Sequence, residues 1–190
     1  MIIKLSIRIT VAVAVIIIGA MDAMAIEETK YNVVKKDNKF EIRDYTAHIL
    51  AETVVEGNLE DAGKEAFIRL FRYISGDNRS GDNISITAPE SQETKNEKIK
   101  MTAPVGQKRI GDSWVVSFMM PGSYTLENLP KPEDPMVTLR QVPARRIAAI
   151  RYSGFWSEKG YQQNKKKLES WIQRMGITVA GDPIWARYNA

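Results

Sequence analysis

Between Leu59 and Ser75 the apolar residues Ala62, Ala66, Leu70, Tyr73 and Ile74 return every three or four positions, with Asn58 before them and Gly76 after. That spacing lines one face of an α-helix, and the flanking residues suit an N-cap and a C-terminal stop. A second helix is predicted from Ser157 to Met175, its stripe made by Tyr161, Asn164, Leu168, Trp171, Ile172 and Met175, with Ser157 as the cap and Gly176 as the stop. The lysines at 165 to 167 fall mostly off this stripe. Alternating or β-branched runs predict strands at Tyr31–Lys36, Phe40–Tyr45, His48–Val55, Ile99–Val105, Trp114–Met119, Val137–Val142, Arg146–Tyr152 and Ile177–Tyr188. Strands and helices do not alternate one for one, so the fold class is α+β rather than a parallel α/β sheet.

The pattern repeats. Glu41 through Gly57 and Thr138 through Gly154 have equal length, and each runs into a helix. At a common offset of 97, Arg43 meets Arg140, Ala51 meets Ala148, Gly57 meets Gly154 and Gly63 meets Gly160. This predicts a pseudo-twofold domain, two strand-strand-helix-strand halves closing one sheet or barrel with both helices outside. A shorter repeat relates Ile84–Gln92 to Ile99–Gln107, 15 residues later. Each copy reads as a brief strand stopped by proline, and Ser91–Lys98 between them as an exposed turn.

The first helix has more apolar surface than a core stripe needs. Its ordinary stripe covers about 120°, and Phe67, Ile68 and Phe71 extend it to about 240°. Lys64 lies within this extension and Arg72 just past it. Either a loop, such as the one after Gly76, covers these side chains, or they form a shelf for a flat, apolar, dianionic ligand whose carboxylates meet the two cations. His48 shares a strand face with Thr46 and Leu50. It reads either as a half-exposed surface residue or as a neutral imidazole able to ligate haem iron. Met101, Met119 and Met120 read as core filler. Arg140, Arg145, Arg146 and Arg151 alternate between two strand faces, as on a solvated edge.

Composition narrows the chemistry further. The 190-residue chain has no Cys and one His, which excludes disulfides, thiol catalysis, Cys-ligated metals, covalent haem and any multi-histidine zinc site. No catalytic constellation, phosphate loop or metal-ligand spacing is visible, so an enzyme is not expected. Residues 1–25 read as a secretory signal peptide: Lys4 and Arg8, an apolar run from Ile9 to Ala20, then Ala23-Met24-Ala25. The run is short for a bilayer span, although an uncleaved anchor is the alternative. A periplasmic or secreted domain of residues 26–190 follows. Removing Lys4, Arg8 and Asp22 leaves it 25 Lys+Arg and 22 Asp+Glu, a mild excess spread along the chain that argues against a nucleic-acid partner.

Several of these segments carry a family resemblance: Tyr31-Asn32-Val33-Val34, Phe40 to Tyr45, Glu65-Ala66-Phe67 with Leu70 to Ile74, Lys98-Ile99-Lys100-Met101-Thr102-Ala103-Pro104-Val105, Phe118-Met119-Met120-Pro121, Leu129-Pro130-Lys131-Pro132, Pro143 to Arg146 and Ala186-Arg187-Tyr188-Asn189. In this order they resemble the SOUL haem-binding protein family. The resemblance implies a distorted antiparallel β-barrel or sheet flanked by two helices, and non-covalent binding of haem or a related tetrapyrrole by a non-catalytic carrier, read here as an exported monomer. The resemblance also implies a ligand against the first helix at Lys64, Phe67, Phe71 and Arg72, the shelf that also holds Ile68, with the motif residue Tyr188 as a further ligand-binding candidate. His48 is the candidate axial ligand, offset from a family histidine position that is Thr46 here, and no metal beyond haem iron is implied. Family chains usually continue past the Tyr-Asn element to an Arg-Arg-Asn-Glu strand. The end at Ala190 therefore implies either a truncated sequence or a chain without that strand. Two other readings remain open, a general module for hydrophobic small molecules and an envelope protein-interaction domain.

Overall fold

The computed structural model describes residues 26–80 and 96–188. The signal-peptide reading of 1–25, the Ile84–Gln92 repeat and Asn189 lie outside the described residues. The elements in chain order are β1 (Glu27–Glu28), β2 (Tyr31–Asp37), β3 (Phe40–Tyr45), β4 (His48–Glu56), α1 (Leu59–Ser75), β5 (Asn78–Arg79), β6 (Thr102–Ala103), β7 (Val105–Ile110), β8 (Ser113–Met119), β9 (Lys131–Pro132), β10 (Thr138–Val142), β11 (Arg145–Ile150), α2 (Glu158–Arg174) and β12 (Trp185–Arg187). Both helices begin where their caps predict. Asn58 Oδ1 accepts the backbone N–H groups of Glu60 and Asp61 at 3.0 and 2.9 Å, and Ser157 Oγ accepts that of Gly160 at 3.2 Å, satisfying donors that a helix start leaves unpaired. α1 ends on Gly76 at φ 127, a backbone conformation that disfavours a side chain.

The two principal sheets are antiparallel. One has the order β10-β4-β8-β7-β12 and the other β11-β3-β2, while β5-β9 and the parallel pair β1-β6 are two-stranded additions. The domain is thus α+β, but its described strands form two main sheets rather than the single sheet or closed barrel expected. Each sheet carries one helix. Leu59, Ala62, Ala66, Leu70, Tyr73 and Ile74 of α1 bury against Ile49, Ala51 and Val55 of β4 and Trp114, Val116 and Phe118 of β8. A smaller cluster joins Trp171 and Ile172 of α2 to Ile42, with Phe40, Ala148, Leu168 and Met175 packed around it. Gly63 makes room for the segment before α2. A Cβ there would lie 2.5 Å from the Trp156 ring, closer than packed atoms approach.

The 97-residue offset is present in the hydrogen-bond register. β3-β4-α1 and β10-β11-α2 are the equivalent units; neither pairs its own two strands with each other, and they join across the halves, β4 with β10 and β3 with β11. Glu52 pairs with Thr138. Moving each by the offset gives Ala149 and Glu41, which also pair. The symmetry is broken at two edges: β8 flanks β4 and β2 flanks β3, whereas no described strand flanks the outer side of β11 or of β10.

Two strand predictions need correction, and one strand was not predicted. Ile99–Val105 is not one strand, since only Thr102–Ala103 pairs before Pro104, which has no N–H to continue a ladder. β7 begins at Val105 and forms a hairpin with β8 around Gly111-Asp112. Ile177–Tyr188 shortens to Trp185–Arg187, with Gly181 and Pro183 in the irregular stretch before it. The predicted exposed turn also ends early, because Glu97 is half-buried and its backbone is bonded to Asn78.

Candidate ligand-binding face on the first helix

α1 shows the sheet one face and the surroundings another. Phe67 stands at the border, its ring edge-on to Phe118 at 5.3 Å between centroids and stacked with Phe71 at 5.9 Å and 10°. Ile68 and Phe71 are 55% and 46% exposed, high for large apolar side chains. Lys64 and Arg72 bracket them, about 12 Å apart along the helix axis. Among the described residues Lys64 reaches only Asp61, at 4.0 Å on the surface, and Arg72 is exposed. Nearly parallel rings, an adjoining isoleucine and two accessible cations fit a flat apolar molecule with carboxylates.

This surface is not a requirement of the fold. On α2 the positions equivalent to Phe67, Ile68, Phe71 and Arg72 are Asn164, Lys165, Leu168 and Glu169. Asn164 bonds to the Gly160 carbonyl and Lys165 pairs with Glu169, as on an ordinary solvated helix. Leu168 packs inward on the Trp171 cluster, so the exposed apolar surface of α1 has no counterpart on α2.

His48 and Tyr188 lie elsewhere. Thr53 meets α1 through Arg69 Nη1, which donates to its hydroxyl at 2.9 Å, and Ile49, Ala51 and Val55 are buried beneath the helix. Strand alternation sends His48 to the opposite face. His48 Nδ1 lies 2.8 Å from the Thr46 carbonyl, which can only accept, so Nδ1 carries a hydrogen and, in the neutral tautomer, the lone pair is on Nε2. That nitrogen is chemically able to ligate a metal, but a molecule resting on the outer face of α1 is separated from it by the sheet. Met119 and Met120 are buried, and Thr29 Oγ1 donates to Met119 Sδ at 2.9 Å.

Tyr188 packs with Tyr45, Tyr31 and Arg43 of the three-stranded sheet, where burial and its bond to Tyr45 push its hydroxyl above the ordinary tyrosine range. Arg43 organises this cluster. Its Nε and Nη2 each donate to Glu41 Oε2 at 2.8 Å, its Nη1 donates to Tyr45 Oη at 3.1 Å, and its guanidinium lies 4.4 Å from the Tyr31 ring centroid. Burial pushes the Glu41 carboxyl up, but bonds and charge from Arg43 and Lys36 outweigh this and hold it below the usual range. A carboxyl lowered on folding stabilises above its unfolded pKa, and that contribution is lost as pH falls through the folded value. Glu41→Gln is therefore expected to be less stable than the parent at pH 7. The gap should close toward pH 3 in parallel urea titrations, and a constant gap would contradict the assignment.

The sequence did not single out Trp156, Trp185 and Arg187, which meet over Gly63. The Arg187 guanidinium is 4.5 Å from the Trp156 ring centroid, and the two indoles are 6.0 Å apart. Their cleft of about 10 Å³ has room for no more than a water molecule. Gly63 on a core stripe was the available signal, because a helix glycine there invites a close neighbour.

The model of the SOUL haem-binding protein family matches residues 26–190. The chain belongs to that family. Among curated proteins it is similar to haem-binding protein 1 of Xenopus tropicalis, 23% identical over 150 residues, covering 76% of this chain and 74% of the relative. Haem-binding protein 1 of Xenopus laevis matches with the same identity and coverage. As a SOUL protein, this chain has the two helices and largely antiparallel sheets expected of it.

Proposed function

We propose that this SOUL protein binds haem or a related tetrapyrrole without covalent attachment on the outer face of α1, as a carrier rather than a catalyst. The observation that carries the reading is the exposed Phe67-Ile68-Phe71 surface between Lys64 and Arg72, absent from the equivalent face of α2. The family and the named activity of the Xenopus relatives support haem as the ligand class. A bound tetrapyrrole supplies a flat apolar ring system and carboxylates. The chain supplies burial on Phe67, Ile68 and Phe71 and charge pairing at Lys64 and Arg72, while His48, across the sheet, stays out of the site. The leader-like residues 1–25 support export, and hence a carrier in the periplasm or outside the cell.

Haemin titration of the purified protein, followed at the Soret band, tests this. Saturable 1:1 binding is expected. Ile68→Ser with Phe71→Ser should weaken it about 100-fold, since burying each side chain is worth roughly 1.5 kcal/mol. Lys64→Glu with Arg72→Glu should cost about tenfold, because exposed charge contacts are individually weak. His48→Ala should leave both affinity and spectrum unchanged. Weakening by the apolar substitutions alone would point to a general hydrophobic binding module. No saturable binding by the folded parent would overturn the reading.

A further inference from the structure

Where α2 crosses the β2-β3 hairpin, Lys39, Phe40, Lys166, Lys167, Ser170 and Arg174 line a groove of about 310 Å³. Its four cations are all exposed, and none is engaged in a salt bridge among the described residues. No carboxylate lines it. The nearby Asp37 turns its carboxylate to Trp171 Nε1 at 2.8 Å and to the Asn38 amide at 3.3 Å. Phe40 presents an aromatic surface, its ring backed by Trp171 at 5.2 Å and 6° between planes, with Lys39 Nζ 5.8 Å from its centroid.

We propose that this groove is a binding site for a multiply charged phosphoryl anion, separate from the face of α1. Arg174 alone would be explained by the last turn of α2, where the helix dipole favours a cation. Lys166 and Lys167 stand two turns earlier, and the fold does not demand them. Their equivalents on α1 are Arg69, paired with Glu65 and Asp134, and Leu70, buried in the main core. Four like charges gathered around one opening repel one another, and an anion of several charges relieves that repulsion. One or two carboxylates would leave half of the cations unmatched, whereas a phosphate ester or oligophosphate offers several oxygens to the lysines and the Ser170 hydroxyl. Both a free phosphoryl compound and the phosphorylated headgroup of a lipid have this chemistry.

The test uses the full chain with inorganic tripolyphosphate by calorimetry, and with vesicles of phosphatidylcholine alone or containing a phosphorylated phosphoinositide by sedimentation. Saturable 1:1 binding of tripolyphosphate is expected. Lys166→Glu with Lys167→Glu should weaken it at least tenfold, and Lys98→Glu with Lys100→Glu, an equal charge change at exposed sites on a different segment, less than twofold. Vesicle binding that tripolyphosphate displaces identifies a headgroup as the source, whereas tripolyphosphate binding without vesicle binding identifies a free phosphoryl compound. Equal weakening by both charge-reversed pairs, or no saturable binding of either probe by folded protein, overturns the proposal.

Discussion

Replacing Asn78 by Ala is expected to destabilise the protein by about 3 kcal/mol or more, although the residue lies in a two-residue strand just beyond α1. Its side chain is fully buried. Its amide nitrogen donates to the Tyr73 carbonyl at 2.7 Å and the Glu97 carbonyl at 2.8 Å, and its oxygen accepts the Glu97 N–H at 3.0 Å. Alanine leaves the N–H and the carbonyl of Glu97 without partners, each costing about 1–3 kcal/mol where water does not replace the bond, and leaves the Tyr73 carbonyl with only the Gly76 N–H at 3.4 Å. The position also joins the end of α1 to the segment around Glu97, beside the bond from Ile99 N–H to the Ile74 carbonyl. Glu97 in turn accepts from the Tyr124 hydroxyl, which burial and that bond push up to about 12.

Asn78→Asp should be worse still at pH 7, because a carboxylate would face two carbonyl oxygens. Such a group binds its proton more tightly folded than unfolded, so its penalty should shrink as pH falls toward 4. Urea midpoints at pH 7 and 4 separate the two variants. A loss below about 1 kcal/mol for Asn78→Ala would mean that water substitutes for the amide.

Trp171→Ala is the second large effect, expected to cost about 3–5 kcal/mol as a truncation of a fully buried aromatic. Trp171 is the largest member of the small cluster between α2 and the three-stranded sheet, so the neighbours have little else to close around. The substitution removes the stack with Phe40 and frees Asp37 from the indole N–H. Trp171→Phe retains ring burial but loses that bond, and should cost about 1–2 kcal/mol. Near-ultraviolet dichroism with denaturant melts reads both. Equal losses for the two variants would assign the stability to the hydrogen bond rather than to packing.

Elements with a local signal were legible in the sequence. α1 has the predicted bounds, and β3 matches Phe40–Tyr45, because the hydrophobic period and the flanking turn residues agree there. β7 was hidden because its run Gly106-Gln107-Lys108-Arg109 has no apolar alternation. Gln107 is nevertheless buried, its amide donating to the Leu59 carbonyl at 2.8 Å, a use of a polar residue that only the assembled fold reveals. The offset of 97 foretold the two equivalent units, but sequence identity carries no pairing information, so the division into two main sheets was not visible. The candidate surface was half legible. A helical wheel places Phe67, Ile68 and Phe71 together, and alternation places His48 beside Leu50. Which face of β4 receives α1 depends on packing between elements, and that decides whether His48 and the helix share a side. The basic groove was beyond reach, since Lys39 and Lys166 meet only through the contact of α2 with a distant hairpin.

The pairing of strands across the two halves bears on how fast the chain folds. Tyr45 pairs with Arg145, about 100 residues onward, and His48 with Val142. The β3-β4-α1 unit contains no strand pairing of its own between β3 and β4, and the same holds for β10 and β11. Before either cross-pair contributes, the chain must close a loop longer than many whole domains, and the entropy of that closure comes first. The β4-β8-β7 ladder with α1 packed on it needs shorter closures, so it is the natural nucleus, and the three-stranded sheet beneath α2 consolidates last.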